Sequence, residues 1–169
     1  MITATRLREL LECDIEAGTF RWRETRGSRA IKGAAAGTRR WDGYYVLRLD
    51  GRLYLRHRLV WLYAHGAWPK ETLDHANRVK GEDRLANLRE ATRPQNHANV
   101  GLQRNNKSGF RGVHQLSGQN VWVASIKNRG KAKHLGRFGS AEAAATAYNA
   151  ALEQMHGEYA HISGGPSGG

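Results

Sequence analysis

Residues 73–99 read LDHANRVKGEDRLANLREATRPQNHAN, and four polar side chains in this stretch organise the reading of the chain. Asp74 and His75 are adjacent at the end of a brief extended piece, 71–75. A polar, charged excursion follows at 76–84, and 88–91 is a second short strand-like segment. Thr92-Arg93-Pro94-Gln95 is a Thr-x-x-Gln capping box with proline in the first turn, so a helix begins there and carries Asn96 near its start. A carboxylate and an amide carbonyl are hard oxygen donors that suit Mg²⁺ or Mn²⁺. A neutral histidine is the natural base for a water attacking a phosphodiester, and a buried amide can fix the strand or ring that carries it. Asp74-His75 alone reads as an ordinary turn; with Asn87 and Asn96 in register, the chemical reading is preferred.

Working outward towards the N-terminus, 3–13 alternates charge with Leu7, Leu10 and Leu11 at helical spacing, which predicts a short amphipathic helix. Segments 17–22 and 44–49 have strand character. The second runs through Asp50-Gly51 into 53–56, a two-residue hairpin signal. Gly33–Thr38 is Gly/Ala-rich and reads as a loop. Residues 57–64 carry Leu59, Val60, Leu62 and Tyr63, consistent with a buried helix that stops near Gly66 and Pro69. His57 reads as a packing residue, His65, His156 and His161 as surface or cap residues, and Cys13 has no partner.

The chain has 169 residues with 27 Lys/Arg against 15 Asp/Glu, a net charge of +12, which points to a polyanionic partner. Ala91–Ala141 contains nine Lys/Arg and no Asp or Glu, interleaved with Phe110, His114, Trp122, His134 and Phe138. That mixture favours a folded nucleic-acid surface over a basic tail. One cysteine excludes an internal disulfide and a cysteine-based zinc site. No apolar run is long enough for a membrane span or a secretory signal, so the expectation is an intracellular, cytoplasmic protein with no membrane partner (host cytoplasm if phage-encoded).

D-H, a loop, N-L and then a helix carrying N resembles the zinc-free phage and homing-type branch of the HNH (ββα-metal) nucleases. RHRLVW at 56–61, GAWP at 66–69 and NLREAT at 87–92 resemble the same family in the same order. The resemblance implies His75 as general base, Asn87 as the residue that orients it, and Asp74 and Asn96 as ligands of one divalent cation, Mg²⁺ or Mn²⁺. Many members carry His where Asn96 stands. His97 is the neighbouring alternative, but one residue turns a helical side chain by about 100°.

Gly101–Ser108 has linker composition. Beyond it, strands at 110–115, 121–127 and 133–138 precede an Ala-rich helix capped by Ser140. SGFRGVHQ, VWVASIKNRGKAKHLGRFGSAEAAATAYNAA and MHGEYA resemble an AP2/ERF DNA-binding domain, in which a three-stranded antiparallel sheet packed on one helix lies in the major groove. His114 and His134 stand where plant members carry Arg and Trp, so base preference does not transfer. Alternation puts Trp122, Ala124 and Ile126 on the helix side and Val123, Ser125 and Lys127 towards DNA. Arg111, His114, Lys127, Arg129, Lys131, Lys133 and Arg137 are DNA-contact candidates there, with Arg56, Arg58, Arg93 and Arg104 as backbone clamps.

The expected architecture is therefore α+β: a nuclease domain over 1–100, a linker at 101–108, an AP2-like domain over 109–162 and a flexible tail from 163. The expected function is metal-dependent hydrolysis of double-stranded DNA by a monomer or DNA-dependent dimer. The alternatives are a non-catalytic DNA-binding regulator on an inert nuclease scaffold and, more weakly, an RNA binder.

Overall fold

The computed structural model describes residues 1–102, 105–128 and 130–162; Arg104, Arg129 and the tail from 163 lie outside that set. The chain is α+β and divides into two compact units, Met1–Ala91 and Thr92–Gly169. The helix carrying Asn96, placed before the linker on sequence grounds, belongs to the second unit.

In the first unit, α1 (Ala4–Leu10) is capped by Thr3, whose hydroxyl accepts from the Arg6 N–H. It ends short of the Cys13 expected from periodicity because Leu11–Asp14 is taken up as strand β1, antiparallel to β2 (Thr19–Trp22). Asp14 Oδ1 accepts from the N–H groups of Glu16 and Ala17, and Gly18 supplies the left-handed backbone (φ 68°) that completes the turn. The expected loop over 33–38 contains β3 (Ala35–Ala36), paired to β2, and the start of β4 (Thr38–Arg39). Small side chains there let a sheet edge form without bulk.

Strands β4, β5 (Tyr45–Leu49) and β6 (Arg52–Leu55) form a second sheet, and Asp50-Gly51, both at positive φ, makes its tight turn as the sequence predicts. Helix α2 (Arg56–His65) stops at Gly66 in the left-handed conformation. Leu7, Leu10, Leu11, Phe20, Leu47, Leu49, Leu59, Val60, Leu62 and Leu88 form the core. Onto it packs a two-stranded hairpin of β7 (Thr72–His75) and β8 (Leu88–Ala91), in which Asp74 opposes Arg89 and His75 opposes Leu88.

The second unit opens with the short helix α3 (Arg93–Ala98), where the Gln95 side chain accepts from the Thr92 N–H at 2.8 Å. Strands β9 (Val113–Gln115), β10 (Trp122–Asn128) and β11 (Lys131–Phe138) form an antiparallel sheet in the order β11-β10-β9, packed on α4 (Ala141–His156). The first strand starts later than Phe110 because Asn106 and Ser108 hold the Phe110 carbonyl in a turn and Gly112 sits at φ 68°. Ala124 and Ile126 are buried against α4 with Trp122 beside them. Val123, expected to face outward, is buried as well, and β10 shifts register between Ala124 and Ser125, the signature of a bulge that re-aims side chains. Among the described residues no helix is long and apolar enough to cross a membrane.

Candidate active site

β7 ends on two buried polar residues in succession, and adjacent strand residues project to opposite faces. The two have separate partners. Asp74 Oδ2 accepts from Arg89 on the opposing strand, at 3.1 Å from Nε and 3.0 Å from Nη2. The His75 Nε2 lies 2.8 Å from Oδ1 of Asp83, a carboxylate with no solvent exposure. The other oxygen of Asp83 accepts from Arg56 Nε at 2.7 Å, and Arg56 Nη2 donates to the Gly81 carbonyl at 2.8 Å. The Arg56 guanidinium also lies over the Tyr45 ring at 3.8 Å. A buried charge is tolerable only when paired and hydrogen-bonded, and this chain of contacts satisfies Asp83 on both sides.

His57 packs edge-on against His75, with ring centroids 5.1 Å apart, and Tyr44 flanks both rings at 5.5 and 6.0 Å. Burial first, and the neighbouring His75 second, push the His57 imidazole down to about 4. It is therefore neutral near pH 7. Its Nδ1 is the buried side-chain polar atom that lacks a hydrogen-bond partner among the described residues. Burial likewise raises the Tyr44 hydroxyl and pushes the remote Cys13 thiol up to about 12.

The excursion between the two strands is held from inside. Asn87 Oδ1 accepts from the Asn77 N–H at 3.0 Å, and its Nδ2 donates to Asn77 Oδ1 and to the Glu82 carbonyl at 2.9 and 2.8 Å. Asn87 thus bonds the loop that carries Asp83, not the His75 ring. A second brace comes from the N-terminal hairpin: the Leu85 N–H donates to Ile15 O at 2.9 Å, and a Cβ added at Gly18 would collide with the backbone of Asp83 and Arg84.

One group of possible metal ligands lies together within the first unit. His57, His75 and Asp83 offer ligand atoms within 4.8 Å of one another. Two imidazoles and a carboxylate suit a borderline transition ion better than Mg²⁺, and both Asp83 oxygens already accept from Arg56 and His75. Asp74 and Asn96 present oxygens, the chemistry that suits Mg²⁺ or Mn²⁺. Asp74 is buried in the first unit, and Asn96 is half-buried on α3 in the second.

The other sequence-derived candidates divide by environment. Arg56, expected to clamp DNA backbone, is built into the interior instead because its guanidinium neutralises Asp83. Arg58 is half-buried with its guanidinium 5.7 Å from the Trp68 ring centroid. Arg111, expected at the DNA surface, donates to the carbonyls of His97, Ala98 and Val100 at 2.7, 2.6 and 3.0 Å, satisfying the C-terminal end of α3. Arg93, His114, Lys127, Lys131, Lys133 and Arg137 are exposed. Arg104 and Arg129 lie outside the described residues. Sequence reasoning missed Asp83, Arg89 and Tyr44; Gly-Glu-Asp inside a charged excursion gives no sign that its last carboxylate turns inward.

Residues 54–98 match the family described as HNH endonuclease, which spans α2, the β7–β8 hairpin and α3. The chain is 31% identical over 120 residues to an uncharacterized HNH endonuclease, L560, of Acanthamoeba polyphaga mimivirus, an alignment covering 70% of this chain and 62% of that one. It is 30% identical over 108 residues to Protein 3.8 of Escherichia phage T7, covering 63% of this chain and 88% of that protein. No solved structure matches significantly.

Proposed function

We propose, from the HNH endonuclease match over residues 54–98, that the chain hydrolyses a phosphodiester bond in double-stranded DNA, as a homing-type or phage nuclease. The observation that carries the reading is the fully buried Asp83 carboxylate 2.8 Å from His75 Nε2. In the tautomer in which Asp83 accepts from Nε2–H, the lone pair is on Nδ1, the atom assigned to take the proton from the attacking water. The carboxylate also stabilises the imidazolium that results. Asn87 is a positioning residue: it fixes the 76–84 loop and, through it, Asp83.

Asp74 is assigned to one divalent cation, Mg²⁺ or Mn²⁺; the family resemblance implies Asn96 as its second ligand. When bound, such a cation supplies positive charge for the transition state and for the leaving 3′ oxygen. Arg89, paired with Asp74, holds the carboxylate in one orientation. The second unit is read as an AP2/ERF-like DNA-binding module, with the exposed His114, Lys127, Lys131, Lys133 and Arg137 contacting DNA and Arg93 on the backbone. Each phosphate neutralised contributes a slope of about −0.9 to log affinity against log salt.

One observation favours the non-catalytic regulator: Asp74 already has a cationic partner in Arg89. Nicking of supercoiled plasmid with Mg²⁺, with and without chelator, separates the two readings. Chelator-sensitive nicking by the wild type that His75→Ala lacks is the expected result. Equal nicking by both removes His75 from the chemistry, and tight, salt-sensitive binding without nicking selects the regulator.

A further inference from the structure

The turn between β4 and β5 presents an indole to water. Trp41 is 94% exposed, while Trp22, Trp61, Trp68 and Trp122 are half-buried. The turn beneath it is braced. The Arg40 N–H donates to Tyr44 O at 2.7 Å and the Gly43 N–H to Arg40 O at 3.1 Å. Asp42 accepts from the Tyr44 N–H at 3.3 Å, pairs with Arg40 at 3.1 Å, and receives Lys80 Nζ on its carbonyl at 3.4 Å. Trp41 is thus held outward on ordered backbone. Single exposed apolar residues are common and need no explanation; the setting of this one is what matters. Arg39 and Arg40 precede it, both exposed, and the turn leads directly to Tyr44, whose ring flanks His57 and His75. Lys80, which bonds the turn, lies over the Tyr44 ring and belongs to the loop that carries Asp83.

We propose that Trp41 is a base-stacking residue, which takes the face of a nucleobase beside the bond to be cut while Arg39 and Arg40 hold the adjoining phosphates. An indole offers any base a π-face without reading its edge, and cations on either side of such a platform track the backbone. Inserted between base steps of a duplex, an apolar ring unstacks them and bends the helix, which presents the phosphate at that step. The inference rests on the DNA substrate proposed above. A second copy of this chain is the competing occupant of an exposed tryptophan, but three neighbouring cations, Arg39, Arg40 and Lys80, would face their own counterparts across a symmetric contact.

The test uses the full chain and a short duplex containing 2-aminopurine, with chelator present to prevent cleavage. Trp41→Ala is expected to weaken binding by about 10-fold, within the range of one base-stacking contact, and Trp41→Phe to recover much of the loss. Wild type should raise the fluorescence of 2-aminopurine at one position as that base unstacks, and Trp41→Ala should not. Equal affinity and equal fluorescence for wild type and Trp41→Ala would overturn the proposal, as would self-association of the wild type that Trp41→Ala abolishes. A wild type that never nicks plasmid but binds DNA in a Trp41-dependent way would uphold the stacking contact on DNA while removing the hydrolytic reading and the placement beside a bond to be cut.

Discussion

Replacing Asp83 by Asn keeps the shape of the side chain and deletes its charge at the point where Arg56 and His75 meet. Arg56 and Asp83 are both buried, and their Nε–Oδ2 contact is 2.7 Å, so the substitution leaves a guanidinium inside the protein without a counter-charge. Removing one member of a buried pair costs about 3–5 kcal/mol. The Gly81 carbonyl and the Tyr45 ring still contact the guanidinium, which puts Asp83→Asn at the lower end of that range. For a chain of this size the melting temperature falls by on the order of 10 °C. A second effect is chemical. An amide at position 83 can turn its NH₂ towards His75 Nε2, which favours the tautomer with the proton on Nδ1 and disables the proposed base, at a cost of about 10²–10⁴-fold in nicking rate. The two effects separate in the double variant Arg56→Met/Asp83→Asn. With neither charge present, most of the lost stability returns, while the rate stays low because His75 still lacks its carboxylate. The assays are thermal unfolding and initial nicking rate on supercoiled plasmid. Wild-type nicking by Asp83→Asn, or recovery of nicking in the double variant, would refute the role given to the carboxylate.

Other outcomes follow from separate contacts. Asn87→Ala removes three side-chain hydrogen bonds from the 76–84 loop, so amide exchange in that loop should accelerate with a loss of about 1–3 kcal/mol, and unchanged protection would count against the brace. His57 is held near 4 in the folded chain against an ordinary value of about 6.5 when unfolded. Its contribution to stability is therefore complete above about pH 6.5 and falls away as the pH drops towards 4, by roughly 3 kcal/mol in all. His57→Gln should flatten the acid limb of stability against pH; parallel curves would contradict this. In the second unit, Gly112→Ala combines a positive φ with a Cβ that would collide with the Tyr148 ring, and unfolding measurements should show a loss of several kcal/mol.

What the sequence makes legible follows the range of the forces involved. Asp50-Gly51, the Gly66 stop, the Thr92–Gln95 box and the Ser140 cap act over a few residues, and each is found where the sequence places it. The boundary of α1 is not legible, because helical periodicity through Leu11 says nothing of β2, the strand that draws Leu11–Asp14 into a hairpin. Asp74, His75 and Asn87 are proposed through the family resemblance, and their partners cannot be read from the sequence. Arg89 opposes Asp74 only once the register of β7 and β8 is known. Asp83 reaches His75 only because the intervening loop folds back. Arg56 and Arg111 show the same limit: an arginine in a basic sequence reads as a surface cation until a buried carboxylate or a helix end is found to need it.

The family match begins at residue 54, yet what stands behind His75 is fastened from further upstream. Gly18, lacking a side chain, lets the first hairpin lie directly against the backbone of Asp83 and Arg84, and Ile15 bonds the next residue along. A transplanted cassette starting at the matched segment would keep the proposed base and lose its backstop. Chimeras that exchange the matched segment between relatives should therefore carry the opening hairpin with them, and a side chain at position 18 is expected to abolish the proposed activity from a distance while leaving every proposed reacting group in place.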